Sequence, residues 1–432
     1  MVFENITENE YEKFWNIYKN RCFLSSIEIG HLREKNNWHI SYVGLKNNNK
    51  IIACAMLLSK KRHFNKYEYY AIRGPLIDYN NYDLLNIFFS ELKKYIKNSN
   101  GYILRIDPYI IDYQRDIDGN IIKGGINNSK IITYLNKIGF KKNNNDEQNN
   151  LLFTLNLKNK SENDILNEMK SNTRNIINKA LKSNIKIKEL NYDELNIFYD
   201  ILKKTGDRKK FKIKSFNYYQ NMFKIFKNKI KFLITEIDLN ENNILLKEEL
   251  NNKEIELNKL SNAKYNNGKK NNIINEITSI KKKITYNNEI IEKTNGNNII
   301  MSSSVFIIMK PEIVYLSSGN IEKYLKFNSQ YALQWEMIKY AINNGFDKYN
   351  FYGIITYDDK NNKDYGIYEF KRGFNGNVEK LIGEYELPIS KEYYFIKIIR
   401  KIKNLFRRWL YEIFNYIISF YNYYTCFINN LL

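Results

Sequence analysis

The stretch that decides the fold is SQYALQWEMIKYAINNGFDKYNFYGI, Ser329–Ile354, followed by a polar Asp/Asn/Lys loop and by YGIYEFKRGFN, Tyr365–Asn375. Leu333, Met337, Ile338 and Ala341 recur at helical spacing and stop at an Asn-Gly pair, which marks a helix and its end. Tyr349 and Phe351 alternate with polar residues, as a short strand does. Helix, strand and loop in that order belong to an α/β sheet. The loop is expected to deliver one lysine, Lys371, between Phe370 and Gly373. A cation beside aromatic rings after a loop suits a polar substrate group.

The same alternation extends in both directions. Before residue 157 the apolar pattern predicts helices at 9–19, 83–97 and 130–138, and strands at 39–45, 50–59, 67–72, 102–106 and 151–157. Leu84, Leu85, Phe88, Leu92 and Ile96 form one face of the helix at 83–97. These elements make a first lobe, residues 1–157. A second lobe, 158–390, opens with a basic helix at 162–182. It continues with strands at 185–190 and 230–237 and helices at 192–205 and 215–228. Inside it, residues 240–297 turn almost wholly to Asn, Lys, Glu, Ile and Leu. Leu246, Leu250, Leu257 and Leu260, then Ile273, Ile277, Ile280, Ile284 and Ile291, are spaced for two helices packed as an antiparallel coiled-coil hairpin. Each arm of about 23 residues would reach about 35 Å at 1.5 Å per residue. A disordered polar insertion is the other reading. Strands resume at 299–309 and 312–316. The tail, 391–432, is basic and then aromatic; it suits either a membrane interface or packing back on its own lobe.

At 432 residues, 43% apolar, the chain can bury a core in more than one domain. A formal charge of +21 and a pI near 9.4 attract nucleic acid, anionic lipid or phosphorylated substrates. Cys22, Cys54 and Cys426 lack metal spacing, and His31, His39 and His63 all fall early. Neither a zinc site nor a His-based triad is expected, and neither a signal peptide nor a spanning helix is read from the sequence.

The polar residues that stand out are few. Arg73 lies in YAIRGPLID, Tyr70–Asp78. Tyr102, Arg105 and Asp107 lie on YILRIDP, Tyr102–Pro108. A carboxylate at the C-terminal end of a strand can face a cleft, or it can serve as a turn-forming Asx before proline. Ser171–Asn175 opens a basic helix. Arg208–Lys214, RKKFKIK, precedes Tyr218-Tyr219; clustered cations among aromatics suit a diphosphate or a nucleic-acid backbone, or a solvated surface. No Walker loop appears. A reaction on a substrate that arrives activated needs chiefly positioning and charge stabilisation.

The blocks EKNNW (Glu34–Trp38), YxxRGPxxD, YxLRxDP, the basic helix, YYQxM, LQWEMIKYA and YxFKxGF occur in the order seen in the Fem family of non-ribosomal peptidyltransferases, which this chain resembles. That resemblance implies two acetyltransferase-like (GNAT-type) lobes with a cleft for a cell-wall precursor. It implies aminoacyl-tRNA as co-substrate, no further cofactor, and transfer to the stem peptide or growing bridge of a peptidoglycan precursor, lipid II in particular. Lys371 and Phe370 are implied at the reacting carbonyl, and Asp107 in proton transfer. Lys35, Arg73, Tyr102, Arg105, Arg208, Lys214, Tyr218 and Tyr315 are implied as substrate-binding. Lys214 stands where some relatives carry Arg, and Ser317 where relatives carry a second Tyr. A cytoplasmic enzyme, peripheral at the inner face of the membrane and associating with itself or related transferases, is expected. The rival readings are a GNAT-like transferase on another acceptor and an inactive relative that binds tRNA or membrane. The acyl-CoA form of the fold is disfavoured, because Lys123-Gly124-Gly125 does not open a helix.

Overall fold

A computed structural model describes residues 1–261 and 267–399, with isolated positions beyond. Its chain divides into two compact units. The first comprises residues 1–110, 128–148 and the segment from 382 onward; the second comprises 111–127 and 149–381. Each holds a seven-stranded sheet with the same plan.

In the first unit, Val2–Asn5, His39–Asn47, Lys50–Lys61 and Tyr67–Ala71 run antiparallel in sequence order. Helix Tyr82–Asn98 then crosses over, and Gly101–Ile106 returns parallel to Tyr67–Ala71. A parallel return needs such a crossover, and here an amphipathic helix supplies it. Asn81 caps that helix by accepting the Leu84 N–H at 3.0 Å. Leu84, Leu85, Phe88, Leu92 and Ile96 are all buried against the sheet, as their spacing predicts. Truncating a side chain as enclosed as Phe88 to Ala costs about 3–5 kcal/mol.

The second unit repeats the plan. Lys186–Glu189, Ile230–Asp238, Asn298–Met309 and Glu312–Asn320 run antiparallel. Helix Ser329–Asn343 crosses over, and Lys348–Gly353 returns parallel. Leu333, Met337, Ile338 and Ala341 are buried, and Gly345 at φ +64° turns the chain out of the helix. The α/β expectation of two acyltransferase-like lobes therefore holds.

The lobe boundaries differ from the contiguous division expected. Leu151–Asn156 does not close the first sheet. It pairs with Lys348–Gly353 and Asn377–Lys380 in the second. Conversely Tyr385–Pro388, expected in the second lobe, sits between Gly101–Ile106 and the short strand Lys141–Lys142 of the first sheet. Each sheet thus receives its sixth strand from the other half of the sequence. Hydropathy alone cannot show this, because an apolar strand matches either sheet equally well.

Two further differences have local causes. The basic helix at 162–182 is two helices, Glu162–Glu168 and Ser171–Lys182. Met169 is extended between them because it is drawn into the core, and the Lys170 N–H donates to the Gly373 carbonyl at 3.1 Å. Residues 365–372 are a helix rather than the end of a loop, so Lys371 stands on a helix's last turn.

Helices Leu239–Ser261 and Asn267–Thr294 continue directly from one strand and lead into its antiparallel neighbour. Their contacts run antiparallel: Asn243 to Asn288 at 2.9 Å, Asn287 to Asn242 at 2.8 Å, and Lys253 to Glu276 at 2.8 Å. Leu246, Ile273, Ile277 and Ile280 are buried between them. Of the tail, residues 392–399 are helical, and Tyr393 and Ile396 pack with Tyr102 and Ile103 in the first unit. Most of the tail expectation lies outside the described residues. No helix among the described residues is long and apolar enough to cross a membrane.

Candidate active site

The second unit holds a cavity of about 760 Å³ at the C-terminal side of its parallel strands. Tyr315, Ser317 and Ser318 come from one parallel strand, Phe351, Tyr352 and Gly353 from the other. Ser329, Gln330 and Tyr331 come from the first turn of the crossover helix, and Phe370 and Lys371 from helix Tyr365–Arg372.

Lys371 is only 5% exposed. Its Nζ donates to the Gly353 carbonyl at 2.6 Å, with the Tyr352 carbonyl at 3.4 Å. Burial pushes its ammonium down to about 7, because removing a cation from water disfavours the charged form. Among the described residues no carboxylate offsets that burial. The carbonyls it uses lie at a backbone bend: Tyr352 adopts φ +64°, a left-handed conformation costly for a side chain of its size. Phe370 meets Tyr331 edge to face, ring centroids 4.9 Å apart. Tyr331 stacks in turn on Phe374 at 5.9 Å. The result is a cation at the edge of an aromatic wall.

The polar side of the cavity is built from small hydroxyls and one amide. The Tyr315 hydroxyl donates to Ser318 Oγ, and Gln330 Oε1 is 3.5 Å away. Burial raises the Tyr315 phenol to about 12, so it stays a neutral donor. The Gln330 amide donates to Ser304 Oγ at 3.2 Å.

Of the residues expected from the sequence, the cavity brings together Lys371, Phe370 and Tyr315. Arg208 lies close in the same unit. Its guanidinium donates to the Asn320 carbonyl at 3.4 Å and is 3.5 Å from Glu322, and its neighbours Thr205 and Lys209 line the cavity. Lys214 is exposed and sits 5.8 Å from the Tyr218 ring centroid. They form a cation–aromatic pair.

Four others are in the interior of the first unit. Asp107 accepts the Arg73 N–H at 2.6 Å, and the Arg73 guanidinium lies 3.5 Å away. Burial pushes the Asp107 carboxyl up to about 6 against the pull of Arg73. Arg105 is fully engaged: bidentate to Glu384 at 2.8 Å each, to Glu68 at 2.7 Å and to Glu147 at 3.0 Å. Tyr102 is 1% exposed. Lys35 is exposed at the C-terminus of helix Ile27–Glu34, while the Trp38 ring is approached by Lys60 and Arg62 instead.

Sequence reasoning missed Gln330, Tyr331 and Tyr352. Gln330 and Tyr331 carry a signal, since polar and aromatic residues in a first helical turn beside a strand end face the sheet's ligand side. Tyr352 carries none in the apolar pattern: its N–H donates to Asn350 Oδ1 at 2.8 Å, where the ladder to Leu151–Asn156 loses register.

The two sheets share one acyltransferase-like plan, and the second unit carries an aromatic-walled cavity with a buried lysine at its edge. The chain matches the FemAB family over residues 6–401. It is 32% identical over 422 residues to the aminoacyltransferase FemA of Staphylococcus epidermidis, covering 93% of this chain and 100% of that protein. It is 30% identical over 408 residues to FemA of Staphylococcus aureus, covering 91% and 97%. The crystal structure of FemX superposes with a TM-score of 0.72 at 22% identity, covering 92% of this chain and 99% of that one. This chain belongs to the FemAB family. It is an aminoacyltransferase, and its reaction is aminoacyl transfer to a peptidoglycan precursor.

Proposed function

We propose that the donor is an aminoacyl-tRNA, the acceptor a lipid-linked precursor of the lipid II type, and the cavity beside Lys371 the place of transfer. The acceptor's free amine, on the stem peptide or on a growing bridge, attacks the ester carbonyl. The new C–N bond forms as the carbonyl oxygen takes negative charge. Protonated Lys371 donates to that oxygen, and the first turn of helix Ser329–Asn343 adds its partial positive charge. The C–O bond then breaks, the tRNA 3′ oxygen leaves, and the proton lost by the amine ends on it. No cofactor beyond the charged tRNA is required. Phe370 and Tyr331 would flank the aminoacyl end, and Tyr315 would donate to a polar group of either substrate.

Arg208, Lys214 and Tyr218 are read as contacts for a phosphate backbone or diphosphate, and exposed Lys35 as a further one. Arg73, Arg105, Asp107 and Tyr102 are read as positioning residues, because their polar groups are already engaged or enclosed within the first unit. With a lipid-linked acceptor, the enzyme works at the inner face of the cell membrane.

The observation that carries this reading is the buried, carboxylate-free Lys371 at the cavity wall. Its test is transfer of radiolabelled amino acids from charged tRNA to lipid II. Lys371→Ala should lower the rate by about 10²–10³-fold, the usual loss for one charge stabiliser, with tRNA binding retained. Wild-type turnover in that variant would remove Lys371 from the chemistry.

A further inference from the structure

The helix that begins at residue 392 has two unlike faces. One is spent inside the first unit: Tyr393 and Ile396 are 3% and 1% exposed, packed on Tyr102 and Ile103. The Tyr393 hydroxyl and the Lys397 ammonium both donate to Glu386, at 2.9 and 3.1 Å, and fix the helix's rotation. The opposite face is apolar and open. Phe395, Ile398 and Ile402 are 63%, 56% and 59% exposed, and Tyr394 is 52% exposed. Trp409 and Ile413, helical positions further on, are 54% and 37% exposed. Positions 395, 398 and 402 are separated by three and four residues, the spacing of a stripe along one helical face.

The same part of the sequence is rich in cations. Between 391 and 413 the sequence carries seven basic residues against two acidic ones, Glu392 and Glu412. At the foot of the helix an open hollow is lined by Lys66, Lys97, Lys391 and Tyr394, with Glu392 bridging Lys66 at 3.3 Å. Large exposed apolar side chains, a lysine-lined hollow at the helix's foot and a basic composition fit a helix lying in a bilayer interface. Apolar groups enter the acyl boundary while lysines and arginines meet anionic headgroups.

We propose that this stripe is the enzyme's docking surface for an anionic lipid bilayer, with the Lys66–Lys97–Lys391 hollow taking a lipid phosphate. The inference rests on the reading of a lipid-linked acceptor. It adds the element that brings the enzyme to that acceptor.

The test uses the full chain and vesicles of equal parts phosphatidylcholine and phosphatidylglycerol, with pure phosphatidylcholine as control. The wild type should co-sediment with the anionic vesicles and much less with the neutral ones. A Phe395→Ser, Ile398→Ser, Ile402→Ser variant alters only exposed side chains, so its thermal unfolding should be unchanged. Its vesicle binding should fall about tenfold or more. Its transfer to vesicle-borne lipid II should fall in step, while transfer to a water-soluble stem-peptide acceptor stays at the wild-type rate. Undiminished vesicle binding by the variant would overturn the proposal. So would a wild type that ignores vesicles but forms dimers the variant cannot form, since a second copy would then cover the stripe. Absence of transfer to either acceptor, with vesicle binding intact, would instead strike the reading of the acceptor.

Discussion

Lys371 is the residue whose chemistry is most exposed to test. Its ammonium titrates near 7 in the folded protein against the usual 10.5 in the unfolded chain. Between those values the unfolded chain holds a proton that the folded one has lost, so stability attributable to this group rises with pH across that window. Lys371→Met should therefore raise the melting temperature at pH 7 and flatten its pH dependence, as calorimetry across the window would show. Activity should run the other way. If the protonated form stabilises the oxyanion, kcat/KM falls as pH rises above about 7, and Lys371→Arg moves that limb upward. A flat profile in the wild type would exclude a titrating Lys371 from the rate.

Arg105 makes a different case at the same scale. It is a conspicuous arginine in the sequence, and its guanidinium is shared among Glu68, Glu147 and Glu384. Removing it leaves carboxylates in the interior without their cation. Breaking a buried pair in this way costs about 3–5 kcal/mol. Arg105→Ala should appear mainly as lost soluble yield and a lower melting temperature. A stable variant with only a raised KM would instead make Arg105 a substrate contact.

At the scale of elements, the helical hairpin is attached to the sheet by a simple joint. Asp238 and Asn298 are direct partners in the antiparallel ladder from which the helices leave and to which they return. Replacing residues 239–297 by a two-residue Asn-Gly turn should close a hairpin of ordinary geometry. The second unit should then keep its circular-dichroism spectrum and its slow-exchanging strand amides. Loss of those amides would mean that Asn242, Asn243 and Asn287, buried where the helices join the sheet, help to hold the strands. The helices themselves were legible from their Leu and Ile spacing. The buried asparagine cluster was not, because a run of Asn in this composition looks like solvated surface.

At the scale of the whole molecule, the exchanged strands make neither half of the sequence self-sufficient. A fragment of residues 1–157 lacks Tyr385–Pro388, the strand between Gly101–Ile106 and Lys141–Lys142, and lacks Glu384. It leaves Ile103 and Leu104 on an open edge, a template for aggregation. That fragment should be insoluble or molten when expressed alone. A version joined by a flexible linker to residues 382–399 should show a cooperative melt. Cooperative unfolding of the bare fragment would mean that the C-terminal strand is dispensable.

The sequence by itself determined most of the elements and their class. Apolar period, turn residues and a crossover helix before each parallel strand are local properties, written within some twenty residues at a time. It also singled out Lys371, a lysine set beside aromatic residues. Only the tertiary structure decided which sheet the strands at 151–156 and 385–388 join, since their alternation fits either. It alone turned Arg73, Asp107 and Arg105 inward, because their partners lie tens to hundreds of residues away: Asp107 for Arg73, and Glu68 and Glu384 for Arg105. It alone set Tyr331, Gln330 and the bent backbone at Tyr352 around one cavity. Burial and long-range pairing depend on which surfaces meet, and no local pattern encodes that.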